Sequence, residues 1–401
     1  MQVWAKSSNL LISIYLLIFF ILITFFIYLK IFLLILLTLV PVIMSVAFFT
    51  ILERKVMASV QRRKGPSNIG FYGILQPFAD GLKLLLKEIS IPFKSNFFFF
   101  LLSPSLSFFI SLMCWISIPF GYNNFFIDFN FSALMVLVIN SFGVYTIIFP
   151  GISSNSKYTV LGSYRALSQF ISYEILLSFI FLFIILICSS FSIIEIVFYQ
   201  QLHIFLFLPL FPVFIIFFIS ILAETNRSPF DLPEAESELV SGYSTEYSAS
   251  IFTFFFLAEY SNMILWAFLT VFFFLGGWVL PFFNKVHLML FVKNTYVYNM
   301  ATIKTFKFTA LPPLFNCFNC ILNYIFIQPI FKFFVFFIPF LEIFFFCLKV
   351  LIINFFFVLV RSAYPRYRFD FLLYICWKSF LPFLMGYFLF IYSFLIIVNF
   401  Y

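Results

Sequence analysis

Apolar runs of about 20 residues recur along the whole chain, parted by shorter polar segments. The runs are Leu10–Leu29, Ile31–Leu52, Phe97–Phe120, Phe131–Pro150, Leu167–Ile187, His203–Leu222, Ile251–Leu280, Phe333–Val360 and Leu372–Asn399. Each is long enough to cross a bilayer as a helix. None alternates with the period of two that a barrel strand needs. The pattern predicts an all-α polytopic membrane protein. Within the polar segment 53–96, Phe78, Leu82, Leu85 and Leu86 fall on one helical face. Asp80, Lys83 and Lys87 fall largely on another, so a helix lying along the membrane surface is expected there.

Composition agrees. Of 401 residues, 9% are charged and 64% hydrophobic, too few charges to cover a soluble domain of this size. The net charge of +8 follows topology and does not point to nucleic acid. With the spans taken alternately, one side receives the loops 53–96, 151–166, 223–250 and 361–371. Together with Lys378, that side holds 15 of the 23 Lys and Arg. The positive-inside rule fixes the orientation, with one exception: segment 281–332 carries five lysines on the opposite side. No inverted repeat of the transporter kind and no Gly-rich phosphate loop is present.

The densest chemistry is acidic. Six of the fifteen carboxylates, Glu224, Asp231, Glu234, Glu236, Glu238 and Glu246, lie between Glu224 and Glu246 with Arg227 as the single cation. A solvated loop is the plain explanation; Pro229, Pro233, Phe230 and Tyr243 argue for a built structure. In GISSNSKYTVLGSYRALSQFISYE, Glu174 lies about 15 Å of helix beyond Tyr164, at membrane depth. Glu259 in FFFLAEYSNM is its counterpart. Carboxylates there need pairing, hydration or a proton, and proton handling is the stronger reading for both. Glu342, among less polar neighbours, reads as structural. The basic stretch from Glu53 through Arg54, Arg63 and Lys64, and the arginines of RSAYPRYRFD, suit headgroup anchoring and share the same face.

Cys317 and Cys320 form a lone C-x-x-C with no second pair and no nearby histidine, so no metal site is expected and the pair reads as incidental, a disulfide being the alternative if that face is oxidising. No cleavable leader is expected, since the first apolar run is too long and a second follows at once. Phenylalanine, 72 residues, exceeds packing needs and suits an AT-rich organellar genome.

Five signatures occur in order: ERKVMASVQRRKGPSNIGFYGILQPFADGLKLLLKE, SSNSKY, AETNRSPFDLPEAESELVSGYSTEYSA, FFLAEYSNM and VRSAYPRYRFD with WKSFLPF. From Phe49 to Pro382 the chain resembles the subunit 1 family of NADH:ubiquinone oxidoreductase, respiratory complex I. The resemblance implies eight core transmembrane helices, with two departures: an extra N-terminal span in 1–30 and a lineage-specific insertion, 281–332. The core bundle then occupies 31–280 and the final two helices 333–401.

It further implies a subunit of the proton-translocating NADH:ubiquinone reductase of the mitochondrial inner membrane, with basic loops on the matrix side. Ubiquinone is the implied substrate. No NADH, flavin, iron–sulfur or metal site is implied in this chain. Arg54, Arg63, Asp80, Arg227, Phe230 and Asp231 are implied at the quinone cavity and its mouth. Glu174, Glu224, Glu234, Glu236, Glu238, Glu246 and Glu259 are implied along a charged path. Implied partners are the quinone-reducing matrix arm, the neighbouring membrane arm, accessory subunits around the insertion, and lipid. The membrane subunit of a hydrogenase-type complex is the nearest alternative. A stand-alone transporter and a structural scaffold are weaker ones.

Overall fold

The computed structural model describes residues 36, 39–121, 129–233, 241–279 and 328–400, and every regular element among them is helical. The extra N-terminal span in 1–30, Cys317, Cys320 and nearly all of the insertion lie outside the described residues.

Helix α1 covers residues 39–60. It is followed by α2, Gln76–Leu86, and α3, Phe97–Cys114. Next come α4, Ser132–Ser141, α5, Gly143–Ser153, and α6, Lys157–Cys188. Helices α7, Ile193–Leu202, and α8, Phe211–Glu224, are short. Helix α9 spans Ala249–Phe274 and α10 spans Gln328–Ala363. The last span joins α11, Phe369–Tyr374, through a π-helical turn, Ile375–Phe380, to α12, Leu381–Phe400.

Six described helical stretches are long and apolar enough to cross a membrane: Phe97–Ser117, Ser132–Ser153, Lys157–Cys188, Ala249–Phe274, Phe340–Ala363 and Phe369–Ile397. The chain is a polytopic helical membrane protein. Helix α9 is central, with 61% of its span window buried, while the last span is peripheral at 6%. Its outer face presents Leu389, Phe390 and Phe394 as an exposed apolar surface.

Close packing at the centre comes from small residues. Ser103, Ser107 and Ser111 recur every four positions on the buried face of α3, and α9 packs directly on that helix. With no hydrophobic drive between helices in lipid, such stripes let backbones approach and gain dispersion contacts. Each of these hydroxyls is also satisfied by a carbonyl in the preceding turn of its own helix. Large rings fill the rest: Phe181 meets Phe273 edge-on at 4.8 Å, and Phe217 meets Trp266 at 6.0 Å.

Three expected boundaries move. The apolar run His203–Leu222 is not one helix: α8 begins only at Phe211, with Pro212 in its first turn, and residues 203–210 are irregular. Hydropathy sees apolar residues there, but not the prolines that set where a helix starts. The segment 188–202, between two of the apolar runs, contains α7. Ser192 caps it by accepting from the backbone N–H of Glu195 at 3.2 Å. The run Ile251–Leu280 stops at Phe274, because Gly276 has φ of +72° and Phe205 lies where a Cβ would stand, 2.5 Å away.

Candidate functional site

The site grows from one buried carboxylate. Glu53 lies near the end of α1, just past the apolar run, and is buried. Its Oε2 accepts from Tyr260 Oη on α9 at 2.6 Å and from Arg227 Nη2, after α8, at 3.2 Å. Its Oε1 accepts from Arg361 Nη1 on α10. Two guanidinium groups and a phenol satisfy one anion, the arrangement a buried charge requires. Arg227 also sits 4.5 Å from the centre of the Tyr260 ring and donates from Nε to Met263 Sδ at 3.0 Å. Four separate elements meet here.

The acidic loop folds back beside this hub. Its first turn is closed by Arg227 N–H donating to Leu222 O at 3.1 Å and Phe230 N–H to Arg227 O at 2.7 Å. Phe230 stacks on Tyr367 at 5.6 Å and 17°, and Tyr367 N–H donates to Pro229 O at 3.1 Å. Asp231 is consequently buried, with Oδ2 accepting from Arg366 Nη2 at 3.1 Å. Its Oδ1 has no partner among the described residues. Burial pushes the Asp231 carboxyl above the usual aspartate range, with Arg366, Arg227 and Arg361 pulling the other way.

Deeper in the bundle is a small polar cavity of about 60 Å³, lined by Asn140, Glu224, Asn226, Tyr243, Glu259 and Asn262 among others. Asn140 Nδ2 donates to Glu224 Oε1 at 3.2 Å, and Tyr243 Oη donates to Glu259 Oε1 at 2.7 Å. Glu224 Oε2, Asn226 Oδ1 and Asn262 Oδ1 have no partner among the described residues. A cavity edged by unmatched acceptors suits donors such as water or a protonated carboxyl. Glu174 lies close enough to Glu224 for their charges to interact. Glu259 interacts in the same way with Arg227, Asp231 and Arg361. The acids of the cavity and the hub around Glu53 therefore form one electrostatic neighbourhood.

The expected residues separate into three groups. Arg227, Phe230, Asp231, Glu224, Glu174 and Glu259 come together as described. Arg54 and Asp80 pair with each other at 2.6 Å, but both are substantially exposed, 48% and 38%. Such a pair contributes about 0–1 kcal/mol. Arg63 is exposed just beyond α1, and Glu246 is half-buried in the turn before α9, outside the cavity lining. Glu234, Glu236 and Glu238 lie outside the described residues. Glu342 is buried on α10. Among the described residues no cluster of three His, Cys, Asp or Glu side chains could hold a metal ion.

Sequence reasoning missed Glu53 as the centre, and Tyr260, Tyr243, Asn140, Asn226 and Asn262 as partners. Glu53 reads as one more charge in a basic stretch. Only the position of Tyr260 beside Glu259 offered a hint.

Comparison with known proteins agrees along nearly the whole chain. A model of the NADH dehydrogenase family matches residues 33–392. The chain is 42% identical over 348 residues to NADH-ubiquinone oxidoreductase chain 1 of Chondrus crispus, covering 87% of this chain and 91% of that protein. Chain 1 of Arabidopsis thaliana is similarly 42% identical over 348 residues, covering 86% and 90%. Chain 1 of Yarrowia lipolytica is 41% identical over 365 residues, covering 91% and 96%.

Proposed function

The chain belongs to the NADH dehydrogenase family, and from that membership we propose that it forms the ubiquinone-facing membrane subunit of a proton-translocating NADH:ubiquinone oxidoreductase. It sits in the mitochondrial inner membrane with its basic loops toward the matrix. Electrons from NADH arrive through partner subunits of the assembly; this chain supplies the lipid-side approach for the quinone and the first acids that respond to its reduction. Neighbouring membrane-arm subunits and lipid cover the remaining apolar faces, and accessory subunits cover the 281–332 insertion.

The observation that carries the reading is the shared neighbourhood of Glu53, Arg227, Arg361, Asp231 and Glu259. Ubiquinone reduction consumes two electrons and two protons, so charge at the headgroup changes during turnover. A unit charge appearing about 8 Å from Asp231, at an effective dielectric of about 20, is worth about 2 kcal/mol, or ~1.5 pKa units. Burial already pushes the Asp231 carboxyl above the usual aspartate range, and negative charge at the headgroup pushes it further the same way. Glu259 interacts with Asp231, and the cavity also reaches Glu224, which interacts in turn with Glu174. Glu234, Glu236, Glu238 and Glu246 extend the same acidic path. Arg54, Arg63 and Asp80 mark the outer mouth, where the surface-lying α2 meets the bilayer.

A photoreactive ubiquinone analogue bound to the assembled enzyme tests the placement. It is expected to label peptides within 53–96 or 223–233 of this chain, and excess ubiquinone should protect them. Labelling confined to other subunits contradicts the reading.

A further inference from the structure

The acidic loop is held by a residue that carries no charge. Gln169, on α6, is completely buried. Its Nε2 donates both protons, one to Ala223 O at 2.7 Å and one to Phe230 O at 2.9 Å. Those carbonyls belong to the residues immediately before Glu224 and Asp231. One amide thus spans the first turn of the loop and fixes the backbone positions from which both acids project. Ala223 O lies in the last turn of α8 and also accepts from the Asn226 N–H at 3.3 Å.

We infer that Gln169 is the positioning residue that latches the acidic loop to α6, setting where Glu224 and Asp231 stand relative to Glu174. This deepens the proposed function and rests on it. Space filling does not account for the amide. Gln169 Oε1 has no partner among the described residues, and an unmatched buried acceptor costs about 1–3 kcal/mol. Leucine or methionine would fill comparable space without that cost, but neither can bridge two carbonyls. The latch also has a direction: Tyr173 and Glu174 follow one turn later on the same helix, and the Tyr173 ring lies 6.3 Å from Phe230. Any displacement of the loop during turnover must stretch these two hydrogen bonds or carry α6 with it.

The assembled enzyme carrying Gln169→Leu or Gln169→Glu provides the test. Gln169→Leu removes both donors and is expected to lower kcat/KM for a soluble ubiquinone about tenfold or more through misplacement alone. Gln169→Glu gives a sharper signature. Its protonated carboxyl can donate to one of the two carbonyls, while its ionised form presents only acceptors to acceptors. The titratable and charged groups around it are Arg165, Tyr173 and Glu174 on α6, Glu224 from α8, Arg227 and Asp231 from the loop, Arg366 before α11, and Cys376, whose Sγ donates to Ser172 O. All of these are shared with wild type, so the ratio of Gln169→Glu to wild-type activity isolates the introduced carboxyl.

That ratio is expected to fall as pH rises, while the ratio for Gln169→Leu stays level. If Gln169→Leu does not accumulate, the pH-dependence of Gln169→Glu decides alone. A Gln169→Leu enzyme with wild-type kcat and KM, or a flat ratio for Gln169→Glu, overturns the inference. Asp231→Asn, assayed in parallel, separates the two levels. If it alters quinone kinetics and the Gln169 variants do not, only the latch fails; if it is also silent, the proposed function fails with it.

Discussion

Tyr260 donates its hydroxyl proton to Glu53 Oε2 across 2.6 Å, tying the central helix α9 to the end of α1 at the point where two arginines also converge. Its neighbour in sequence, Glu259, turns to the polar cavity and accepts from Tyr243 at 2.7 Å. Successive residues on a helix point about 100° apart, following from 3.6 residues per turn. A single turn of α9 therefore joins the charged hub to the inner acids.

Glu53→Gln should be costly. Arg227 is nearly buried, and taking the anion from a buried pair leaves its cation uncompensated, worth about 3–5 kcal/mol. The expected outcome is less assembled enzyme on native gels and a raised KM for ubiquinone in what remains. Wild-type amount and KM would show that the hub holds nothing together.

Asp231 sets a pH signature. Its folded-state pKa is raised by burial, so the folded chain binds a proton that the unfolded chain releases. The stability contributed is fully present below the ordinary aspartate value and is lost as pH rises through the raised one. Asp231→Asn has no such proton to lose. Its thermal midpoint, measured against wild type, should gain as pH rises through this window and show no gain below it, while quinone-linked turnover falls. A midpoint difference that does not change with pH argues against the burial account.

Tyr243→Phe keeps the ring and removes the donor to Glu259. The loss of one hydrogen bond to a buried acid costs about 1–3 kcal/mol, expressed here mostly in function because the ring packing against Phe255 at 5.6 Å survives. Assembly should be near normal and proton-coupled turnover reduced several-fold. Unchanged coupling would remove Tyr243 from the path.

At the other end of α9, Lys349 Nζ donates to the carbonyls of Leu275, Gly277 and Val279 at 2.7, 3.0 and 2.8 Å. This tripod closes the C-terminal end of α9 and joins it to α10, the helix that also carries Arg361. Lys349→Met takes the donor from all three carbonyls, at about 1–3 kcal/mol for each one left unmatched. Lys349→Arg, whose planar fork cannot meet a tripod, should rescue poorly. Heat-inactivation of the assembled enzyme at a lower temperature in both variants is the expected result. Full rescue by arginine would mean that charge alone matters.

The bundle was legible because lipid selects for long apolar runs, and residues such as Phe97–Ser117 and Phe340–Ala363 carry that signal without help from their neighbours. Boundaries set by single residues were harder to see: Pro212 and Gly276 end or start helices inside unbroken apolar runs. In the site, carboxylates at depth announced themselves, since Glu174 and Glu259 fall within long, largely apolar runs. Their partners did not. Glu53 and Arg361 are separated by 308 residues, and only folding reveals that they neutralise one another. Gln169 carries no charge at all, so its role depends wholly on which two carbonyls it meets.

Acids in the membrane are expected to respond to chemistry at the hub. That response is tested most directly by reconstituting the enzyme with Glu259→Gln into sealed vesicles and measuring protons moved per NADH oxidised, with ubiquinone as acceptor. A falling ratio, with quinone reduction slowed or proceeding uncoupled, is the predicted result. Wild-type proton yield and wild-type turnover together would contradict it.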